Sequence, residues 1–239
     1  FEDNSETDTG WTVSGDATDG QWDRGVPVSC ARCDPSLDAD ASGQSWLTDN
    51  SAGSACNSDV DGGSTILTSP LLDASAPSAV LSYNRWYNNG STCNGADPQN
   101  DVFVVDISDD GGSSWTQLEL IGPAGPGTSG GWISVTFVVS DIPGISNSDS
   151  VRLRFTASDL NDGSVIEAGV DAVRVSAVEC DEPANCSGDT NGDEQINVED
   201  LLAVIGSWAQ FDPTCDFDGS GTVDVADLLI VIAAWGSCL

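Results

Sequence analysis

Carboxylates are the only abundant reactive groups in this chain. Its 239 residues hold 39 Asp and Glu against 6 Lys and Arg, all six of them Arg, and no His. Without His or Lys, the Ser-His-Asp, Cys-His and Ser-Lys arrangements of nucleophilic catalysis cannot be built. Paired carboxylates could hydrolyse a glycoside, but no pair stands out among so many acids, and the Glu residues placed to be buried are few (Glu2, Glu119 and Glu167). The chain reads as non-catalytic. What oxygens at fixed spacing do well is surround a hard cation, and one such spacing occurs twice, 27 residues apart. The first copy places Asp189, Asn191, Asp193, Asn197 and Asp200 at the first, third, fifth, ninth and twelfth positions of a loop. The second places Asp216, Asp218, Ser220, Asp224 and Asp227 there. Gln195 and Thr222, at the seventh position, would add backbone carbonyls. Calcium takes six to eight oxygens at about 2.3–2.6 Å, so the duplication predicts two bound calcium ions.

Elements must hold those loops. Leu201, Leu202, Val204, Ile205 and Trp208 recur as Leu228, Leu229, Val231, Ile232 and Trp235. The spacing is helical, so each loop should feed an amphipathic helix whose apolar stripe buries against the other. The twelfth residue is Asp, a single helix follows, and the chain ends in Ala-Ala-Trp-Gly and three further residues. With these features, Cys186 to Leu239 resembles a bacterial dockerin domain. The resemblance implies a calcium-dependent fold and, as partner, a cohesin-like module on another protein. Two departures stand out. Glu194 occupies a turn position where Gly is usual, and Val198-Glu199 and Val225-Ala226 lack the hydroxyl pair that assists cohesin recognition. Docking onto neighbouring copies of the chain therefore stays open beside a cohesin-like partner.

The first 180 residues have another texture. Apolar runs at Val102–Ser108, Trp132–Val139, Val151–Ala157 and Gly169–Val175 are separated by Gly, Asp, Ser and Pro clusters. Short strands between turn signals predict an antiparallel β-sandwich. The expected organisation is thus mainly β: a jelly-roll sandwich over 1–180 and a small α-helical calcium-binding unit over 181–239. Phe1-Glu2-Asp3, Gly10-Trp11, Gln21-Trp22, Ile66–Leu72, Leu81–Trp86 and Glu167–Val173 together resemble a MAM-type module of extracellular adhesion proteins. That resemblance implies a jelly roll with a binding or structural role. It also implies a third calcium where first and last strands meet, with Glu2, Asp59, Asp61 and Asp171 as ligands. Asp59 and Asp61 fall on one side of an extended stretch; the alternative is that all four are exposed turn residues. Ser108 to Trp115 fits the Asp-box spacing, Ser-x-Asp-x-Gly-x-x-Trp, read here as a turn device.

Composition limits partners and compartment. A net charge of −33 excludes nucleic acid, which requires a basic patch, and an anionic membrane surface. No run is long and apolar enough to cross a bilayer. Eight Cys and no Met suggest an oxidising compartment, and a start at Phe1 suggests a signal peptide already removed. The reading is a secreted or cell-surface protein. Cys30-Ala31-Arg32-Cys33 reads as part of a structural disulfide, since zinc would need further Cys or His ligands. Candidate pairings are Cys56 with Cys93, Cys186 with Cys238, and Cys180 with Cys215. Asn89-Gly90-Ser91 and Asn185-Cys186-Ser187 match the glycosylation acceptor pattern. The function expected is structural or adhesive, with a docking tail capable of self-assembly into an extracellular fibril or attachment to a cell-surface scaffold. The alternatives are a glycan-binding module using Trp22, Trp46, Trp86, Tyr87 or Trp132, and the C-terminal part of a larger secreted hydrolase.

Overall fold

Alternation assigns the faces of the strands. In Val80–Asn89, Leu81, Tyr83, Arg85 and Tyr87 are buried while Ser82, Asn84 and Trp86 are only half-buried. Arg152–Asp159 repeats the rule with Leu153, Phe155 and Ala157 inward. A computed structural model describes residues 1–29, 33–51, 59–89, 97–160, 162–177 and 186–237. The chain divides into two compact units, Phe1–Val178 and Glu179–Leu239.

The first unit is built from β1 (Glu2–Asp3), β2 (Thr12–Gly15), β3 (Trp22–Gly25), β4 (Ser45–Thr48), β5 (Gly63–Thr68), β6 (Val80–Asn89), β7 (Phe103–Ser108), β8 (Thr116–Ile121), β9 (Ile133–Val138), β10 (Arg152–Asp159) and β11 (Ile166–Ser176). One sheet runs β3-β4-β11-β6-β9, with β1 also on β11; the other runs β2-β5-β10-β7-β8. Every pairing is antiparallel. Leu81, Tyr83 and Val170 of the first sheet share one core with Leu67, Phe103 and Phe155 of the second. Phe155 meets Tyr83 edge-on with ring centroids 5.2 Å apart and stacks on Phe103 at 6.3 Å, geometries that aromatic quadrupoles favour. An ion pair also crosses between the sheets, from Arg85 on β6 to Glu119 on β8 at 2.9 Å.

The opening phrase of the chain has a physical explanation. Asp3 is buried and accepts hydrogen bonds from the Trp11 indole N–H (2.7 Å), the Ser5 backbone N–H (2.8 Å) and the Thr9 hydroxyl. Trp11 then packs against Trp46 and Phe155, which staples the N-terminal segment to the core. The Asp box is likewise a turn. Asp110 accepts the Ser114 N–H at 2.9 Å and the Ser114 hydroxyl at 2.7 Å, and Trp115 lies under the Arg154 guanidinium, 4.3 Å from the ring centroid.

The second unit contains α1 (Val198–Gly206), α2 (Val225–Ala233) and two short strands, β12 (Gln195–Ile196) and β13 (Gly236–Ser237). Both helices begin with capping boxes, Asn197 with Asp200 and Asp224 with Asp227, which satisfy N–H groups that a helix start leaves unpaired. The halves are joined reciprocally. Ile196, at the eighth position of the first loop, pairs with Gly236, which follows α2. Val223, at the same place in the second loop, exchanges hydrogen bonds with Ala209 and Gln210, which follow α1. Ile196, Val204, Cys215, Val223 and Val231 form the core, with Leu201 and Leu228 against it. No helix of the described residues is long and apolar enough to cross a membrane.

Two expectations need correction here. The helical stripe is split: Leu201, Val204, Leu228 and Val231 pack inward, but Leu202, Ile205 and Trp208, and their counterparts Leu229, Ile232 and Trp235, are exposed. Neighbouring apolar residues stand about 100° apart on a helix, so a helix carrying both cannot bury both against one partner. Cys215 is a buried free thiol, placed inside the small core, so it does not pair with Cys180. Cys33 and Cys186 are disulfide-bonded; Cys30, Cys56, Cys93, Cys180 and Cys238 lie outside the described residues.

Candidate metal sites and an exposed apolar face

The repeated loops share one internal hydrogen-bond pattern. Asp189 accepts the N–H groups of Gly192 (2.8 Å) and Glu194 (2.9 Å); Asp216 accepts those of Ser220 (3.0 Å) and Gly221 (2.8 Å). At the twelfth position, Asp200 takes N–H groups of Thr190 and Asn197, both at 2.8 Å. Asp227 takes those of Phe217 (2.7 Å) and Asp224 (2.9 Å). Glu194 does adopt the left-handed backbone of its Gly221 counterpart, with φ 64° against 89°. That conformation costs a side chain more than it costs glycine.

Asp216, Asp218 and Asp227 bring carboxylate oxygens within 4.8 Å of one another. Ser220 donates its hydroxyl to the Thr222 carbonyl at 3.1 Å, which brings the fifth- and seventh-position oxygens together. In the first loop Asn191 replaces one carboxylate and donates to Asp193 at 3.2 Å, while Gln195 and Asn197 stand at the seventh and ninth positions. No Lys, Arg or His follows Arg174, so no side-chain cation neutralises these groups. Burial pushes Asp200 and Asp227 up, but the N–H groups they accept outweigh it and hold both below the ordinary carboxylate value. Hard, ionised oxygens so arranged fit a divalent cation.

In the sandwich the residues gather differently from the set Glu2, Asp59, Asp61 and Asp171. Asp171, fully buried on β11, has its carboxylate within 4.8 Å of Asp38 and Asp40. It accepts N–H groups from Ala39 (2.9 Å) and Ala172 (2.8 Å) beside a bulge in the β11–β6 register. Burial pushes its carboxyl up to about 6, and the Asp40 charge adds to that. Glu2 lines the neighbouring polar cleft of about 380 Å³ with Asp40, Asn84 and Arg174. Asp59 and Asp61 flank Val60, whose N–H bonds the Ile166 carbonyl. Ile166 lies five residues from Asp171 along β11, about 17 Å at the rise of a strand. The four residues therefore occupy two places, not one. Asp38-Ala39-Asp40 carries the same alternation as Asp59-Val60-Asp61, a signal that could have pointed to it.

The aromatics considered for glycan stacking are committed elsewhere. Trp22, Trp46 and Tyr87 belong to the core. Trp86 and Trp132 meet edge-on at 5.8 Å, and their indole N–H groups donate to the carbonyls of Cys33 (3.0 Å) and Leu37 (2.8 Å). Asn89 is fully buried, with its amide NH2 donating to the Asp101 and Pro123 carbonyls, so a glycan cannot be attached there. Asn185 lies outside the described residues. On the other unit, large apolar side chains are exposed in both halves of the repeat: Leu202 is 59% exposed, Leu229 57% and Phe211 75%, and Ile205, Trp208, Ile232 and Trp235 are exposed as well.

No protein-family model matches the chain, and no curated protein matches it either. Among solved structures, the K1 cleaved adhesin domain of Lys-gingipain from Porphyromonas gingivalis aligns over 75% of this chain and 98% of its own, at 15% identity and a TM-score of 0.47. The K2 domain of the same protein aligns over 74% and 98%, at 16% identity and a TM-score of 0.45. A family 11 carbohydrate-binding module from Clostridium thermocellum, solved with a mixed-linked tetrasaccharide, aligns over 74% and 96%, at 11% identity and a TM-score of 0.41.

Proposed function

We propose that the chain is a non-catalytic, secreted structural or attachment protein: a MAM-like jelly roll carrying a dockerin-like unit that calcium folds and that docks onto protein. The observation that carries this reading is the duplicated apolar triplet, Leu202-Ile205-Trp208 and Leu229-Ile232-Trp235, exposed on and just beyond helices whose first turns close two acidic loops. Exposed patches of this kind mark interaction surfaces. Calcium joins the loop to the helix through Asp200 and Asp227, so metal and docking face are coupled. A second copy of the chain or a cohesin-like module is the partner. Sedimentation velocity of the full chain in calcium and in EGTA, with and without an immobilised cohesin module, tests this. The reading expects association in calcium that EGTA reverses and that Ile205→Asp/Ile232→Asp abolishes. A chain that stays monomeric in calcium and ignores the cohesin contradicts it.

A further inference from the structure

The strand ends β6 and β10 and the segment before β7 bring another set of oxygens together. Asp101, Asp159 and Asn89 are 2%, 1% and 0% exposed. Asp101 Oδ1 accepts the Leu160 N–H at 3.0 Å and Asp159 Oδ1 accepts the Ser164 N–H at 3.2 Å. Asn89 commits its amide NH2 to the carbonyls of Asp101 (2.6 Å) and Pro123 (2.7 Å), which settles which amide atom is oxygen. Of the seven buried side-chain atoms without a hydrogen-bond partner among the described residues, three belong to this group: Asp101 Oδ2, Asn89 Oδ1 and the Tyr87 hydroxyl. The charges of Asp101 and Asp159 both act on that hydroxyl. Asp159 Oδ2 and Asp61 Oδ1 lie 3.9 and 3.8 Å from the point where a Cβ on Gly163 would stand, and the glycine leaves that side open.

Unpaired buried polar atoms are rare in native proteins and require an explanation. Here two of the three can only accept, and two buried carboxylates stand together with no Arg paired to either among the described residues; Arg85 and Arg154 are spent on Glu119 and Asp106. A water molecule would satisfy hydrogen bonds without neutralising the charge. A hard cation does both, since it accepts nothing and binds oxygen. We propose that the sandwich holds a divalent cation between Asp101 and Asp159, with the Asn89 amide oxygen as neutral ligand and Asp61 at the mouth. This site is separate from the Asp38-Asp40-Asp171 group and from the two loops.

Calcium counted by equilibrium dialysis on the full chain tests the site. The chain with Asp101→Asn and Asp159→Asn binds one calcium ion fewer than wild type, and in EGTA it melts no lower, because two repelling carboxylates are gone. An unchanged count overturns the site and leaves a proton shared by the two carboxyls. Should that chain not fold, Asp61→Asn at the half-buried mouth is read by calorimetry. It weakens one calcium-binding event and leaves the others; an isotherm superimposable on wild type overturns the proposal.

Discussion

Asp227 caps α2 through the Asp224 N–H and closes the second loop through the Phe217 N–H, so one carboxylate serves helix and loop together. Asp227→Ala should therefore act twice in calcium: it loses one bound ion, read by dialysis, and the cap, worth about 1 kcal/mol, read by thermal melting. Asp110 isolates a purely structural carboxylate. Hydrogen bonds from the Ser114 N–H and hydroxyl, with the Ser108 hydroxyl, hold it well below its ordinary 3.8. A carboxyl depressed in the folded state stabilises above its unfolded pKa and loses that contribution as pH falls. The melting advantage of wild type over Asp110→Ala should be full at neutral pH and shrink below about pH 4. Arg85 and Glu119 give a third test. Removing one partner strands a buried charge, so Glu119→Ala should cost about 3–5 kcal/mol in denaturant unfolding.

Adjacent residues on α1 make the sharpest contrast between elements. Val204 is fully buried and Ile205 is 50% exposed. Val204→Ala should destabilise by about 2 kcal/mol, whereas Ile205→Ser should stay within about 0.5 kcal/mol yet remove calcium-dependent association. Sequence alone could not tell the two stripes apart, because Leu201 and Leu202, like Val204 and Ile205, are equally apolar; only the packing of α1 against α2 assigns them. The long strands were easier. Period-two alternation in β6 and β10, and the Gly and Asp clusters around them, mark the strands directly. β2 was not legible, since all four of its residues are exposed and no alternation survives. The Asp38 and Asp40 partners of Asp171 come from more than 130 residues away along the chain, and the Ala39 N–H bond to Asp171 and the pairing of β4 with β11 are not local properties. The loop spacing at 189–200 and 216–227 is local, which is why its candidate ligand positions stand out in the chain.

At the scale of the molecule, the two units pose different stability problems. The sandwich has a large aromatic core. The unit from Cys186 onward has a core of few residues and many acids with no base among them, and small domains of that kind usually need a metal or disulfide to fold. Self-repulsion in a chain of net charge −33 adds to that need. Amide hydrogen exchange on the full chain, in calcium and in EGTA, tests the central claim most directly. The account predicts that amides of α1, α2 and both loops are protected in calcium and exchange freely in EGTA, while β5, β6, β10 and β11 stay protected in both. Equal protection of 186–237 in the two conditions would contradict it.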